Sequence, residues 1–231
     1  MSTLLESQVY WRLLALSQQL PSVEQGRLFD WICSLLTGPL NSAALETLTL
    51  SQLQAAALPE MAALSAGQWS ALVTLLHGEL PAHLDPKPVA GAAEGAMRAA
   101  FASNDGLTIN GHFGSCPLFF VYQLTSTEHR LIDIRRFSAR DAETAGGESN
   151  EARAELLADC QLLFCEAIGG PAAARVIRHG IHPVKIKRDP VIAVQLVELQ
   201  RLLGGQLPPW LAKALGRKDD LASRFDLEVE E

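Results

Sequence analysis

Apolar residues recur at helical spacing through the first third of the chain. Between Ser7 and Leu20 they stand at Val9, Tyr10, Leu13, Leu14, Leu16 and Leu20, a stripe on one helix face that Pro21 ends. Ser22–Leu36 predicts a second helix, with Ser22 as N-cap, Leu28, Trp31, Ile32 and Leu35 on the core side, and Gly38-Pro39 closing it. Asn41–Leu45 begins a third segment. Ser51–Leu64, bounded or interrupted by Pro59, is a fourth, and Ser65–Leu76 a fifth, with Trp69, Leu72, Val73 and Leu76 on one side. Short helices, tight loops and few β-branched residues predict a compact all-helical domain of five helices over residues 1–80.

The pattern then breaks. Residues 81–96 hold three prolines among alanines and glycines without a sustained apolar period, and predict an interdomain linker. Beyond it the period shortens. Met97–Ser103, Leu118–Leu124 and His129–Phe137 read as strands, the last two joined as a hairpin through Thr125–Glu128. After a loop at Asp141–Gly147, Ser149 caps a helix to about Leu157, and Leu162–Ala167 is a buried strand. Gly169-Gly170-Pro171 opens a helix, Ala172–His179. A strand at Val184–Lys187 and helices at Pro190–Leu203 and Pro208–Leu215 follow. The expected fold class is an α+β two-domain chain, whose second domain, residues 97–218, is an α/β sheet with helices on its faces. Residues 219–231 form an acidic tail, expected to be disordered.

Composition narrows the function. Hydrophobic residues make up 48% of the 231, enough for packed cores. The longest apolar runs are too short to span a bilayer, and no basic stretch leads an apolar one at the start, so the expected compartment is the cytoplasm, with no membrane partner. None of the four cysteines lies in a CxxC pair, and Cys160 and Cys165 read as buried, reduced thiols. The net charge of −7 is uneven: −5 over residues 1–96, +3 over 97–218 and −5 over 219–231. A mildly basic middle suits a small anionic ligand, or is simply a solvated surface. It does not suit a nucleic-acid backbone, and no nucleic-acid partner is expected.

The chemistry concentrates between the first two strands, in Asn104-Asp105-Gly106-Leu107-Thr108-Ile109-Asn110-Gly111-His112-Phe113-Gly114-Ser115-Cys116. Glycine-rich turns here display an imidazole and a thiol four residues apart, side chains that hold soft or borderline transition metals. His112 is the expected metal ligand, on a flexible loop, with Asn110, Gly111, Phe113 and Gly114 shaping that loop and the two glycines permitting close approach of a large cluster. Phe113 packs inward or shields the site, packing being the better reading. Cys116 is a second ligand or a small packing residue. A further cluster joins the Gly169-Gly170-Pro171 turn to Arg175, Arg178, His179 and His182. Its backbone N–H groups and Arg178 suit an anion, although an ordinary strand-to-helix turn with a solvated helix accounts for the same residues.

The string Asp-Gly-x-x-x-Asn-Gly-His-Phe-Gly-Ser-Cys between two strands resembles the dinitrogenase iron–molybdenum cofactor-binding family, well over about Met97–Lys187. With the helical front half, the chain resembles the nitrogenase accessory γ proteins of the NafY/NifY type. The resemblance implies a ribonuclease-H-like second domain with a mixed five-stranded sheet, cofactor binding through the motif histidine, here His112, and an all-helical, SAM-like first domain that docks onto apo-dinitrogenase. It implies a carrier of the iron–molybdenum cofactor (FeMo-co) or a precursor that hands its metallocluster cargo over, and not an enzyme. A glycine-rich turn such as that at Gly169 would then meet the carboxylate-rich homocitrate of the cargo. Two alternatives stand beside this: a ribonuclease-H-like metal-dependent nuclease using Asp105, Asp133 and Glu166, and a purely stabilising interaction protein for apo-dinitrogenase. The first needs clustered carboxylates, and the first strand carries none.

Overall fold

Residues 6–89, 95–138, 143, 148–187 and 190–215 are described by the computed structural model. Positions 90–94 of the expected linker, the Asp141–Gly147 loop apart from Glu143, and the acidic tail lie outside the described residues. The chain divides into two compact units, Met1–Asp85 and Pro86–Glu231.

The first unit is helical: α1 Ser7–Gln19, α2 Gln25–Leu35, α3 Ser42–Glu46, α4 Leu50–Ala55 and α5 Ala66–Leu76, with a single 3-10 turn at Pro59–Met61 before α5. Leu16, Ile32, Leu45, Leu53, Met61 and Leu72 are fully buried at its centre. Two boundaries differ from the sequence reading. The cap of α2 is Glu24, not Ser22, because the Glu24 carboxylate accepts from the Gly26 and Arg27 N–H groups at 2.9 Å each. Those two bonds hold its carboxyl below the ordinary value. The fourth segment stops at Ala55, since Leu58 must be extended ahead of Pro59. Thr49 and Ser65 close capping boxes with Gln52 and Gln68. A buried arginine ties the helices: Arg12 Nη1 donates to the carbonyls of Leu76 (2.8 Å) and Ser42 (3.1 Å), and its Nη2 meets Glu46 at 2.8 Å.

The second unit is built on a five-stranded mixed sheet of β1 Met97–Ala102, β2 Leu118–Leu124, β3 His129–Arg136, β4 Leu162–Cys165 and β5 His182–Lys185, in the order β3-β2-β1-β4-β5. The pairs β1–β2 and β2–β3 are antiparallel, while β4 is parallel to β1 and β5 to β4. This is the ribonuclease-H-like arrangement expected. Register pairs Phe101 with both Phe120 and Phe164, and Ala100 with Val121 and Leu163, so alternate residues line opposite faces. On one face Ala100, Phe119, Val121 and Leu163 pack with α6 (Ser149–Leu156) and α7 (Gly170–Arg178) through Ala154, Ala172 and Val176. On the other, Phe101 stacks on Phe164 at 4.9 Å, and α8 (Ile192–Leu203) lies against β2. A last short helix, α9, spans Pro209–Ala214.

Here too the ends moved. β5 starts two residues earlier than expected and includes Pro183, which an edge strand tolerates because one side of its backbone needs no partner. Ser149 begins α6 rather than capping it; Glu148 precedes the helix and makes no side-chain cap bond. No helix among the described residues is long and apolar enough to cross a membrane.

Candidate functional site

The segment after β1 is organised by one carboxylate. Asp105 Oδ1 accepts from the N–H groups of Leu107 (2.7 Å) and Thr108 (2.8 Å) and from the Ser103 hydroxyl (3.0 Å). Its Oδ2 accepts from the Thr108 hydroxyl (2.7 Å) and the Asn110 amide (2.9 Å). Asn110 Oδ1 in turn accepts from the Asn104 N–H at 2.8 Å, closing the turn. Burial opposes ionisation of Asp105, but the bonds from Thr108, Leu107 and Ser103 outweigh it and hold the carboxyl below its ordinary value. The stabilisation is therefore complete at neutral pH and is lost as pH falls from the ordinary carboxylate value, about 3.9, through the lower folded one. Asp105→Ala is expected to destabilise the second unit by about 2 kcal/mol, discounted for its half-exposed position, and to flatten the acid limb of a pH–stability profile. Urea unfolding between pH 3 and 7 checks both.

The chain then runs across the ends of two parallel strands. Gly111 N–H donates to Ala102 O (3.1 Å), Glu166 N–H to Gly111 O (3.0 Å) and Phe113 N–H to Ala167 O (2.9 Å), and His112 forms a parallel bridge with Ala167. The carbonyl of His112 accepts from Ser115 and Cys116. On the other side Thr108 bridges Val191, and Ile109 N–H donates to Pro190 O at 2.7 Å. The histidine thus stands on a backbone clamped along both edges rather than on the free loop the glycines suggested.

A cleft of about 510 Å³ opens here, lined by Thr108, Ile109, Asn110, His112, Glu166, Ala167, Ile186, Lys187 and Pro190. These residues follow the C-terminal ends of β1, β4 and β5, the three mutually parallel strands, which is where open α/β sheets place ligands. The volume lies within the range of small-molecule and cofactor sites. The His112 side chain is 60% exposed, and its Nε2 lies 3.4 Å from Glu166 Oε2, whose side chain is 52% exposed. Lys187 adds a cation to the same wall.

The expected site residues divide. His112 and Asn110 line the cleft. Gly111 faces inward: a Cβ there would overlap Cys116 Sγ and stand 2.9 Å from the carbonyl carbon and oxygen of Ala102. The close approach it permits is that of its own backbone to β1. Phe113 is fully buried and packs beside Phe119 at 6.0 Å. Cys116 is 2% exposed, and its thiol donates to Leu118 O at 3.1 Å. Burial pushes that thiol up, against smaller opposing effects of the Leu118 bond and the Arg153 charge. Neither Phe113 nor Cys116 reaches the cleft lining. Gly114 is exposed, with Asn150 Oδ1 at 3.5 Å from its built Cβ.

The second expected cluster has a structural account. Arg175, Arg178 and His179 all converge on Glu151 of α6, Arg178 at 3.2 Å and His179 Nε2 at 2.7 Å. The His179 bond first, then the Arg178, His179 and Arg175 charges, hold the Glu151 carboxyl down. This group fastens α7 to α6, and Arg178 does not line the cleft. The three acids of the nuclease alternative are also dispersed: Asp105 holds its turn, Asp133 pairs with Arg135 on edge strand β3, and Glu166 lies in the cleft. Among the described residues no group of three or more His, Cys, Asp or Glu side chains is placed to hold a metal ion.

Sequence reasoning missed Thr108, Ile109, Ala167, Ile186, Lys187 and Pro190 as lining, and gave Glu166 only a nuclease role. The rule that parallel strands present ligands at their C-terminal ends was the available signal, but it needs the strand order.

Residues 95–200, within the second unit, match the family model described as "Dinitrogenase iron-molybdenum cofactor". Protein NifY of Klebsiella pneumoniae is 44% identical over 208 residues, covering 90% of this chain and 89% of the relative. Protein NifY of Azotobacter vinelandii is 36% identical over 228 residues, 93% of this chain and 92% of the relative. Protein NifX of Rhodobacter capsulatus is 37% identical over 147 residues, 60% of this chain but 92% of its own length. Similarity at this level over nearly the whole of both NifY chains, with the cofactor-family match over the sheet that carries the cleft, shows that the chain belongs to the NifY-type members of the dinitrogenase iron–molybdenum cofactor family, accessory proteins in a nitrogenase cofactor-related role.

Proposed function

We propose that the second unit binds the iron–molybdenum cofactor, or a precursor of it, through His112, and that the helical unit docks onto apo-dinitrogenase so that the cargo is handed over there. The observation that carries this is the exposed His112 imidazole at the mouth of a 510 Å³ cleft. A bare ion asks for about four protein ligands around it. A preassembled metal–sulfur cluster already has its ligands, and needs one or two protein atoms at an open coordination position. One imidazole, with Lys187 on the same cleft lining to meet an anionic guest, suits that second task. Few protein ligands also make capture reversible, as carriage requires. The connection between the units keeps the cargo at high effective concentration beside the docked acceptor.

Anaerobic titration of the full chain with isolated cofactor, followed by X-ray absorption at iron and molybdenum, tests the reading. His112→Ala is expected to weaken binding by at least about 100-fold, beyond what loss of a group that merely supports a ligand costs, and to leave the unfolding midpoint unchanged, because the ring is exposed. A variant that binds the cofactor as tightly as the parent overturns the assignment.

A further inference from the structure

His112 and Glu166 are brought together by backbone, not by chance contact of long side chains. The Glu166 N–H to Gly111 O bond and the Phe113 N–H to Ala167 O bond fix the two segments side by side. Within that frame the imidazole turns Nε2 toward the Glu166 carboxylate at 3.4 Å, somewhat longer than a usual N–H···O bond. Such contacts in ligand-free sites commonly tighten on binding. The other ring nitrogen, Nδ1, has no hydrogen-bond partner among the described residues. Both side chains line the same cleft.

An imidazole that ligates a metal through one nitrogen generally donates its other N–H to a carboxylate or carbonyl, which fixes ring orientation and tautomer and raises basicity. We propose that Glu166 is the positioning residue for His112: its carboxylate accepts the Nε2 proton, so that Nδ1 carries the lone pair that meets the cargo's metal. This rests on the reading of His112 as cargo ligand, and it adds the ligating atom and the group that aims it. Lys187 lines the same cleft and brings a positive charge of its own to it.

The test uses the full chain and two variants, Glu166→Ala and Glu166→Gln. Nitrogen NMR of histidine-labelled protein under mildly alkaline conditions, with the His112 signals assigned by difference against His112→Ala, reports tautomer and ring order without cargo. The parent is expected to show a single Nε2–H tautomer and an ordered ring. Glu166→Ala should give the tautomer mixture and mobility of a free imidazole side chain, while Glu166→Gln, which keeps an acceptor oxygen, should retain the parent's tautomer. In anaerobic cofactor titrations Glu166→Ala should bind about 10- to 100-fold more weakly, with Glu166→Gln in between. A ring equally ordered in Glu166→Ala overturns the proposal, and so does unchanged or tighter cofactor binding, which would make Glu166 a mere repulsive charge. If the parent itself binds no cofactor, it is the functional reading that fails, and the NMR result still decides whether Glu166 holds the ring.

Discussion

Gly111→Ala is expected to destabilise the α/β unit by about 3 kcal/mol and to remove cofactor binding with it. The added methyl group has nowhere to go. It meets the Cys116 sulfur and the backbone of Ala102 at once, and backbone cannot rotate away. Relief requires lifting residues 110–113 off β1, which breaks the Gly111 N–H to Ala102 O bond and the pairing with Glu166 and Ala167. The histidine would move with its platform. Chemical denaturation and cofactor titration of the same preparation measure both effects. His112→Ala should lose binding alone, whereas Gly111→Ala should lose binding and stability together. The double variant Gly111→Ala/Cys116→Ala should recover only part of the loss, because the Ala102 contacts remain. Full recovery would show the clash to be one of side chains only.

Arg12→Met should act on the other unit by a similar amount, about 3 kcal/mol. Methionine keeps the apolar stem but leaves the carbonyls of Leu76 and Ser42 without their donor. Glu46 is half-exposed, so its stranded charge adds little, and the cost falls at the lower end of that for broken buried pairs. The same guanidinium also explains Gly78, whose φ is +98° and whose built Cβ would stand 2.7 Å from Arg12 Nη2. Trp11, Trp31 and Trp69 are buried in this unit and give its unfolding a fluorescence signal. If the units divide the labour as proposed, Arg12→Met should impair capture by apo-dinitrogenase while cofactor titration of the folded remainder stays as in the parent. Parallel loss of both would argue against separate tasks.

How much of this could be read from residue order depends on how local the deciding interaction is. The strands announced themselves because β1 and β2 are buried nearly throughout and carry unbroken apolar runs. The histidine loop announced itself by its glycines. Capping by Glu24 was hidden because a glutamate reaching back to its own helix looks like any solvated acid. The partner of the Arg178 cluster was hidden for another reason. Its residues suited an anion or a solvated helix surface equally by type, while Glu151, which they meet, lies on the preceding helix, on the far side of β4 in chain order. Gly111 was noticed for the right reason, close approach, but the approaching group is the protein's own strand. Lys187 and Glu166 lie far from His112 along the chain and join it only where β5, β4 and β1 end side by side. No periodicity within a segment encodes that meeting.

The thiols of the second unit carry a consequence for handling a metal–sulfur guest. Cys160 is pushed up to about 12 and Cys165 to about 11, in both cases chiefly by burial, and Cys116 rises for the same cause. All three are buried and none lines the cleft, so a cluster held beside His112 meets no sulfur of the second unit among the described residues. A nitrogen-only grip would let such a cluster arrive and depart with its inorganic skeleton unaltered, which is the chemical condition for transport without rebuilding.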